Sequence, residues 1–159
     1  MKIIIVSDTP RQNAGYKKVM AMHQPDLVIH CGDVEGCEAE LIEAAGCPVH
    51  MVKGNNDFCS DLPAEEEFTL LGKRCLLVHG HRHYVSMRTD FLREEALQRG
   101  IDIVFYGHTH KPEVTVTEGV TLVNPGSLSY PRQEGRKPSY VIMESDRQGQ
   151  LHFTIAYLE

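Results

Sequence analysis

The chain has no Cys-x-x-Cys pair, no basic excess, no long apolar run, no internal repeat and no low-complexity tract. Each absence removes a class of function. The cysteines Cys31, Cys37, Cys47, Cys59 and Cys75 number five, and an odd, widely spaced set argues against both a disulfide framework and a thiolate zinc cluster, and suits a reducing compartment. Cys31 and Cys75 fall inside strand-like apolar runs and read as small buried hydrophobes. A formal net charge of -6 argues against coating nucleic acid or an anionic membrane, so neither is an expected partner. No segment approaches the roughly 20 apolar residues of a membrane span. The N-terminal apolar run is too short for a secretory signal and lacks a small-residue cleavage pattern, so a cytoplasmic location is expected.

What is present is enough for a core. A length of 159 residues with 42% hydrophobic composition predicts one domain over residues 1–159 and is too short for two. Strand-like runs at Lys2–Ser7, Leu27–Cys31 and Val49–Val52 alternate with helix-like stretches at Ala14–His23 and Cys37–Ala45, the pattern of successive βαβ units with parallel strands. Strands follow at Glu67–Leu71 and Arg74–Val78 around a Gly72-Lys73 turn. A helix is expected at Met87–Arg99, capped by Ser86, stopped by Gly100, with Met87, Phe91, Leu92 and Ala96 on its apolar face. Ile101–Tyr106 reads as a buried strand, and Glu113–Thr117, Val120–Val123, Ser139–Glu144 and Leu151–Tyr157 alternate like an antiparallel meander. The predicted class is α/β, with two β-sheets packed as a sandwich and flanked by helices.

The opening segment, MKIIIVSDTPR, poses a question, because Asp8 stands where the first strand runs into a loop. One reading makes it a turn residue ahead of a helix start, with Thr9 as N-cap, Pro10 at the first helical position and Gln12 completing a capping box. The rest of the chain supports another. Gly32-Asp33 follows the second strand, Gly54-Asn55-Asn56-Asp57 the third, His79-Gly80-His81 a later one, and Gly107-His108-Thr109-His110 the strand ending at Tyr106. In parallel α/β architecture the carboxyl ends of strands gather along one edge, so these residues can converge. Aspartate, asparagine and histidine form a mixed oxygen and nitrogen set that suits Mn²⁺, Fe, Zn²⁺ or Ni²⁺ and suits Ca²⁺ poorly.

The series SDT, GD, GNND, HGH and GHTH, continued by Asn124-Pro125-Gly126-Ser127 and Arg132, resembles the calcineurin-like metallophosphoesterases, specifically the small bacterial and archaeal phosphodiesterases. The resemblance spans nearly the whole chain. It implies a binuclear metal centre in which Asp33 bridges two divalent ions, manganese foremost, with Asp8 and His110 on the first and Asn55, His79 and His108 on the second. It also implies hydrolysis of a small phosphate ester by a metal-bridging hydroxide. Arg132 would meet substrate phosphate; Arg82 could offer a second guanidinium, though a solvated surface role is its simpler reading. His81 reads either as a residue that supports a ligand or faces phosphate, or as an ordinary surface histidine.

Two departures stand out. The family's first motif is usually Asp-any-His with that histidine on the first metal, and here the third position is Pro10, so the first site is expected to be weak or empty. In larger relatives a leaving-group acid follows the ligand asparagine, and Asn56 holds that catalytic position here without a useful pKa. Water or His81 would then protonate the leaving group. The alternative function is a catalytically impaired metal-binding scaffold, a protein-interaction subunit of the same fold. A homo-oligomer is compatible with either.

Overall fold

The computed structural model describes residues 1–11, 13–117 and 119–159. Two mixed sheets of five strands each face one another. The first is ordered β10-β9-β1-β2-β3, from β1 (Lys2–Val6), β2 (Leu27–His30), β3 (Val49–Met51), β9 (Ser139–Ser145) and β10 (Leu151–Tyr157). The second is ordered β4-β5-β6-β8-β7, from β4 (Glu65–Leu70), β5 (Lys73–Val78), β6 (Ile103–Phe105), β7 (Pro112–Thr117) and β8 (Val120–Pro125). Strands β1, β2 and β3 run parallel, as do β5, β6 and β8, so each sheet presents three carboxyl ends.

The run Ile3-Ile4-Ile5-Val6 is buried on both faces, which is why it is apolar without alternation. Ile3 and Ile5 point between the sheets, against Leu77, Phe105 and Val123. Ile4 and Val6 point outward, under Tyr16, Val19 and Met20 of α1 (Ala14–His23) and Leu41 of α2 (Glu38–Ala45). On the other side Leu76, Val78, Val104 and Tyr106 pack under Leu92 and Ala96 of α3 (Asp90–Gln98). Each such side chain removes apolar area worth about 1.5–3 kcal/mol. The result is the expected sandwich with helices outside, and Cys31 and Cys75 are buried within it.

Several expectations need correction. The C-terminal strands are no meander, because β7 and β8 stay in the second sheet while β9 and β10 cross to the first, where β9 pairs antiparallel with β1. The hairpin pairs Leu70 with Lys73, which puts the turn at Leu71-Gly72, both with positive φ, and places Lys73 in β5. Helix α3 starts later than predicted, with Thr89 rather than Ser86 as N-cap, because a 3-10 turn at His81–His83 and a left-handed Tyr84 occupy the chain before it. Met87 and Phe91 are consequently exposed; Phe91 meets Tyr84 edge-on, and the Arg88 guanidinium lies 4.5 Å from its ring centroid. Helix α1 begins at Ala14 with Asn13 as N-cap, so Thr9 caps nothing and Pro10 lies in a turn. The Thr9 hydroxyl is instead 2.8 Å from His30 Nε2 in the interior. The capping role assigned to Gln12 lies outside the described residues.

Candidate metal centre

The carboxyl ends of the two parallel sets meet along one edge. The loop after β1 is tied to the loop after β2 by Asp8 N–H to Gly32 O and Thr9 N–H to Asp33 O, and the loop after β6 to that after β5 by Gly107 N–H to His79 O. These ties deliver Asp8, Asp33 and His79, all buried, with one ligand atom of each within 4.8 Å of the others. His79 Nδ1 lies 2.7 Å from the carbonyl of Cys31, an acceptor, which fixes the proton on that nitrogen. Its Nε2 therefore faces inward, 3.5 Å from Asp33 Oδ2 and 3.9 Å from Asp8 Oδ1.

The remaining candidates sit around this trio. His110 Nδ1 is anchored 2.7 Å from the Tyr130 carbonyl, leaving Nε2 3.0 Å from Asp8 Oδ1. His108 sends its backbone N–H to Asp8 Oδ2, and its ring centroid is 5.1 Å from that of His79. Asn55 is exposed, with its Oδ1 turned onto His108 Nδ1 at 3.1 Å, so it joins the cluster through His108. Asn56 is an outright partner of Asp33: its backbone N–H donates to Oδ1 at 2.9 Å and its Nδ2 to Oδ2 at 3.0 Å. That places the amide as a brace for the carboxylate.

Asp8 Oδ1 and His79 Nε2 are buried without a hydrogen-bond partner, with His110 Nε2 3.0 Å from Asp8 Oδ1 as an ionic neighbour. Burial pushes the Asp8 carboxyl up, but the imidazoles of His110 and His79 and the Ser7 hydroxyl outweigh it and hold it below the usual carboxylate value. Asp33 is raised, by burial first and then by the nearby charges of Asp8 and Asp57, against the pull of His79. His110 is raised despite burial, because it faces Asp8. Two buried carboxylates beside unpartnered nitrogen and oxygen lone pairs form a set that a divalent cation fits.

The backbone is strained here to aim the ligands. Asp8, Asp33, His108 and His110 all have left-handed φ, between 53° and 71°, a conformation costing roughly 1–2 kcal/mol per non-glycine residue. Two glycines allow the loops to close: a Cβ on Gly54 would collide with the Asp33 carboxylate, and one on Gly107 with the Ser7 hydroxyl.

Sequence reasoning missed several supporting residues. The buried Asp57 carboxylate accepts N–H groups from Asp33 (2.8 Å), Val34 (3.0 Å), Glu35 (2.7 Å) and Gly54 (2.7 Å), locking two ligand loops together. Ser127 Oγ donates to the Asp8 carbonyl at 2.7 Å. A cleft of about 750 Å³ opens over Asp8, Asp33 and His110, with Glu35, Tyr130, Arg132 and Arg136 on its walls. Pro10 lines the same cleft as Asp8, Asp33 and His110. His81 lies to one side, in a small cavity with His79 and His83; burial and the rings of His79 and His108 push it down to about 4, which leaves it neutral near pH 7. Arg82 is exposed, in keeping with the surface reading.

His30 was also missed, and it yields a pH effect. It is fully buried with Nδ1 accepting the Gly32 N–H, and burial pushes it from 6.5 to about 4. A depressed imidazole means that the unfolded chain binds the extra proton between those values, so stability is full above pH 6.5 and falls as pH drops toward 4, by about 3 kcal/mol at the limit. Melting curves in chelator should show this slope, to which His81 adds a share, and His30→Gln should reduce it. An unchanged slope in the variant would remove His30 as its source.

Comparison with known proteins agrees with this geometry. Residues 1–148 match the family described as the calcineurin-like phosphoesterase superfamily domain. The chain is 33% identical over 145 residues to "Probable metallophosphoesterase YsnB" of Bacillus subtilis strain 168, covering 90% of this chain and 83% of that protein. A solved structure from Streptococcus pneumoniae TIGR4, a conserved uncharacterized protein and predicted phosphoesterase, superposes with a TM-score of 0.80 at 25% identity, covering 98% of this chain and 97% of that one. Wild-type Vps29 from Entamoeba histolytica, crystallised with Zn²⁺, shares the fold at a TM-score of 0.77 and 21% identity, covering 99% of both chains. With nearly its whole length matched and its strand-end motifs gathered at one edge, the chain belongs to the calcineurin-like phosphoesterase superfamily.

Proposed function

We propose that the chain, acting as one domain, hydrolyses a small phosphodiester or related phosphate ester with the help of two divalent transition-metal ions, manganese foremost. The observation that carries this reading is the buried, unpartnered pair Asp8 Oδ1 and His79 Nε2 beside Asp33. Asp33 would be shared, Asp8 and His110 would serve the first ion, and Asn55, His79 and His108 the second. When bound, such ions stabilise charge on phosphoryl oxygens and lower the pKa of water that attacks in line. The chain's own groups bind and orient. Arg132 and Arg136, both on the cleft wall, offer guanidinium groups to the non-bridging phosphate oxygens. Asn56 holds the shared carboxylate in place, and the Cys31 and Tyr130 carbonyls hold the rings of His79 and His110. Metal analysis of protein purified without chelator, followed by diester turnover with added Mn²⁺, tests this. Protein that holds no metal and turns over no diester would end it.

The scaffold reading keeps one specific observation in its favour: Pro10, with no donor atom, stands in the cleft beside Asp8. Vps29 shares this fold. Titration with Mn²⁺ should therefore show two unequal affinities, the weaker at the Asp8–His110 site. Pro10→His puts an imidazole beside Asp8 and should tighten that weaker site about tenfold or more, raising turnover at limiting Mn²⁺. The cost to stability is at most about 1 kcal/mol, from added freedom in the unfolded chain. Equal tight binding in the parent counts against the assignment of the sites. Tighter binding without faster turnover would favour the scaffold.

A further inference from the structure

A second cavity adjoins the metal cleft. It has a volume of about 310 Å³ and shares two lining residues with the cleft, Glu35 and Asn56, the second of which braces Asp33, so the two spaces lie side by side. It is also lined by Phe58, which is 88% exposed, and by Arg11, whose side chain is 83% exposed and whose Nε lies 3.7 Å from the Glu35 carboxylate. A phenyl ring held almost wholly in water contributes little to the core, and this one follows directly on Asp57, the carboxylate that pins the ligand loops. Its base is therefore rigid while its face is free. An exposed aromatic ring and a guanidinium lining one cavity are both groups on which a planar ring can stack. The cleft next door supplies arginines for phosphate, and the space beyond it supplies a platform for what the phosphate carries.

We infer that the second cavity is a subsite for a planar aromatic arm of the substrate, a nucleobase or an aryl group, stacked on Phe58 with Arg11 alongside. This rests on the proposed phosphoesterase reading and adds the substrate class to it. The Glu35 carboxylate, at the junction of the two spaces, can accept hydrogen bonds from hydroxyl groups of a sugar linking base to phosphate. A nucleoside arm would use it and a simple aryl arm would not.

The test uses Mn²⁺-loaded protein and three monoesters as product-like probes, namely adenosine 5′-monophosphate, phenyl phosphate and methyl phosphate, with binding measured by calorimetry. The parent should bind the two ring-bearing probes more tightly than methyl phosphate. Phe58→Ala should weaken both about tenfold, the scale of one lost stacking contact, and leave methyl phosphate and metal content unchanged. Phe58→Tyr should restore them. A further loss confined to the adenosine probe in Glu35→Gln assigns the arm to a nucleoside, and equal behaviour of both ring probes assigns it to an aryl group. Equal affinity of the parent for all three probes, or no effect of Phe58→Ala on the ring-bearing pair, overturns the subsite while the metal-dependent reading stands. Failure of the parent to bind metal or methyl phosphate removes the phosphoesterase reading itself, and the subsite with it.

Discussion

Asp33→Asn should strip the protein of bound metal and of ester hydrolysis together. The carboxylate lies 3.5 Å from His79 Nε2 and is held from both sides by Asn56, so an amide there keeps the shape and loses the charge. One end of that amide must also present donors where Asn56 already donates. In the proposed two-ion centre the neighbouring cations would repel, and the Asp33 carboxylate would supply the negative charge that offsets this. The expected loss is two to three orders of magnitude in metal affinity and in turnover, about 3–4 kcal/mol. Folding should survive. Burial and the charges of Asp8 and Asp57 raise the Asp33 carboxyl, and a raised carboxyl contributes stability that fades as pH climbs through its folded value. In chelator at neutral pH the gain from removing that carboxyl opposes the lost acceptor facing Asn56, so the neutral variant should melt close to the parent, and added Mn²⁺ should no longer shift its melting. Full metal content in folded Asp33→Asn protein would sink the bridging assignment.

The second large effect is on stability, at Asp57. Its carboxylate satisfies four backbone N–H groups from two loops, and Asp57→Ala would leave all four without that acceptor in a buried place. At roughly 1–3 kcal/mol for each donor left unpaired, and allowing for water to reach some of them, the expected cost is about 3–5 kcal/mol. For a chain of this size that lowers the melting temperature by about 10 °C. Because Asp33 and Gly54 lie on the freed loops, stabilisation by Mn²⁺ should shrink as well. Thermal melts of parent and variant, each with chelator and with Mn²⁺, measure both effects. A variant that melts with the parent would show that Asp57 does not hold the loops.

How much of this was legible in sequence follows from what sets each feature. The ligand types could be read because each stands just past an apolar run, and the parallel arrangement of β1, β2 and β3 follows from their alternation with helices. Asp57 and His30 could not be assigned, because their partners are backbone groups and a hydroxyl brought close only when separate loops meet. The left-handed backbone at Asp8 and Asp33 was hidden for the same reason: strain of this kind is imposed by surrounding contacts. Alternation in the last strands told which side chains share a face but not which sheet each strand would join. Pro10 shows a limit of motif chemistry. Its restricted φ suits a helix start, yet the Thr9 hydroxyl is taken up by His30, and the helix waits until Ala14.

The candidate ligands sit one to five residues beyond strands that pair in a single register, with Val6 opposite His30 in one sheet and Leu77 opposite Phe105 in the other. A slip of one residue in either ladder turns every following side chain to the opposite face, and with it the donors of that loop. Asp8 and Asp33 come from one sheet and His79 from the other, so no misregistered chain can assemble the trio even if it is compact and rich in strand. The centre would thus act as an internal proofreader. Metal held by this trio, measured in moles per mole of chain, would count the correctly paired molecules in a preparation, a quantity that absorbance or total secondary structure does not report.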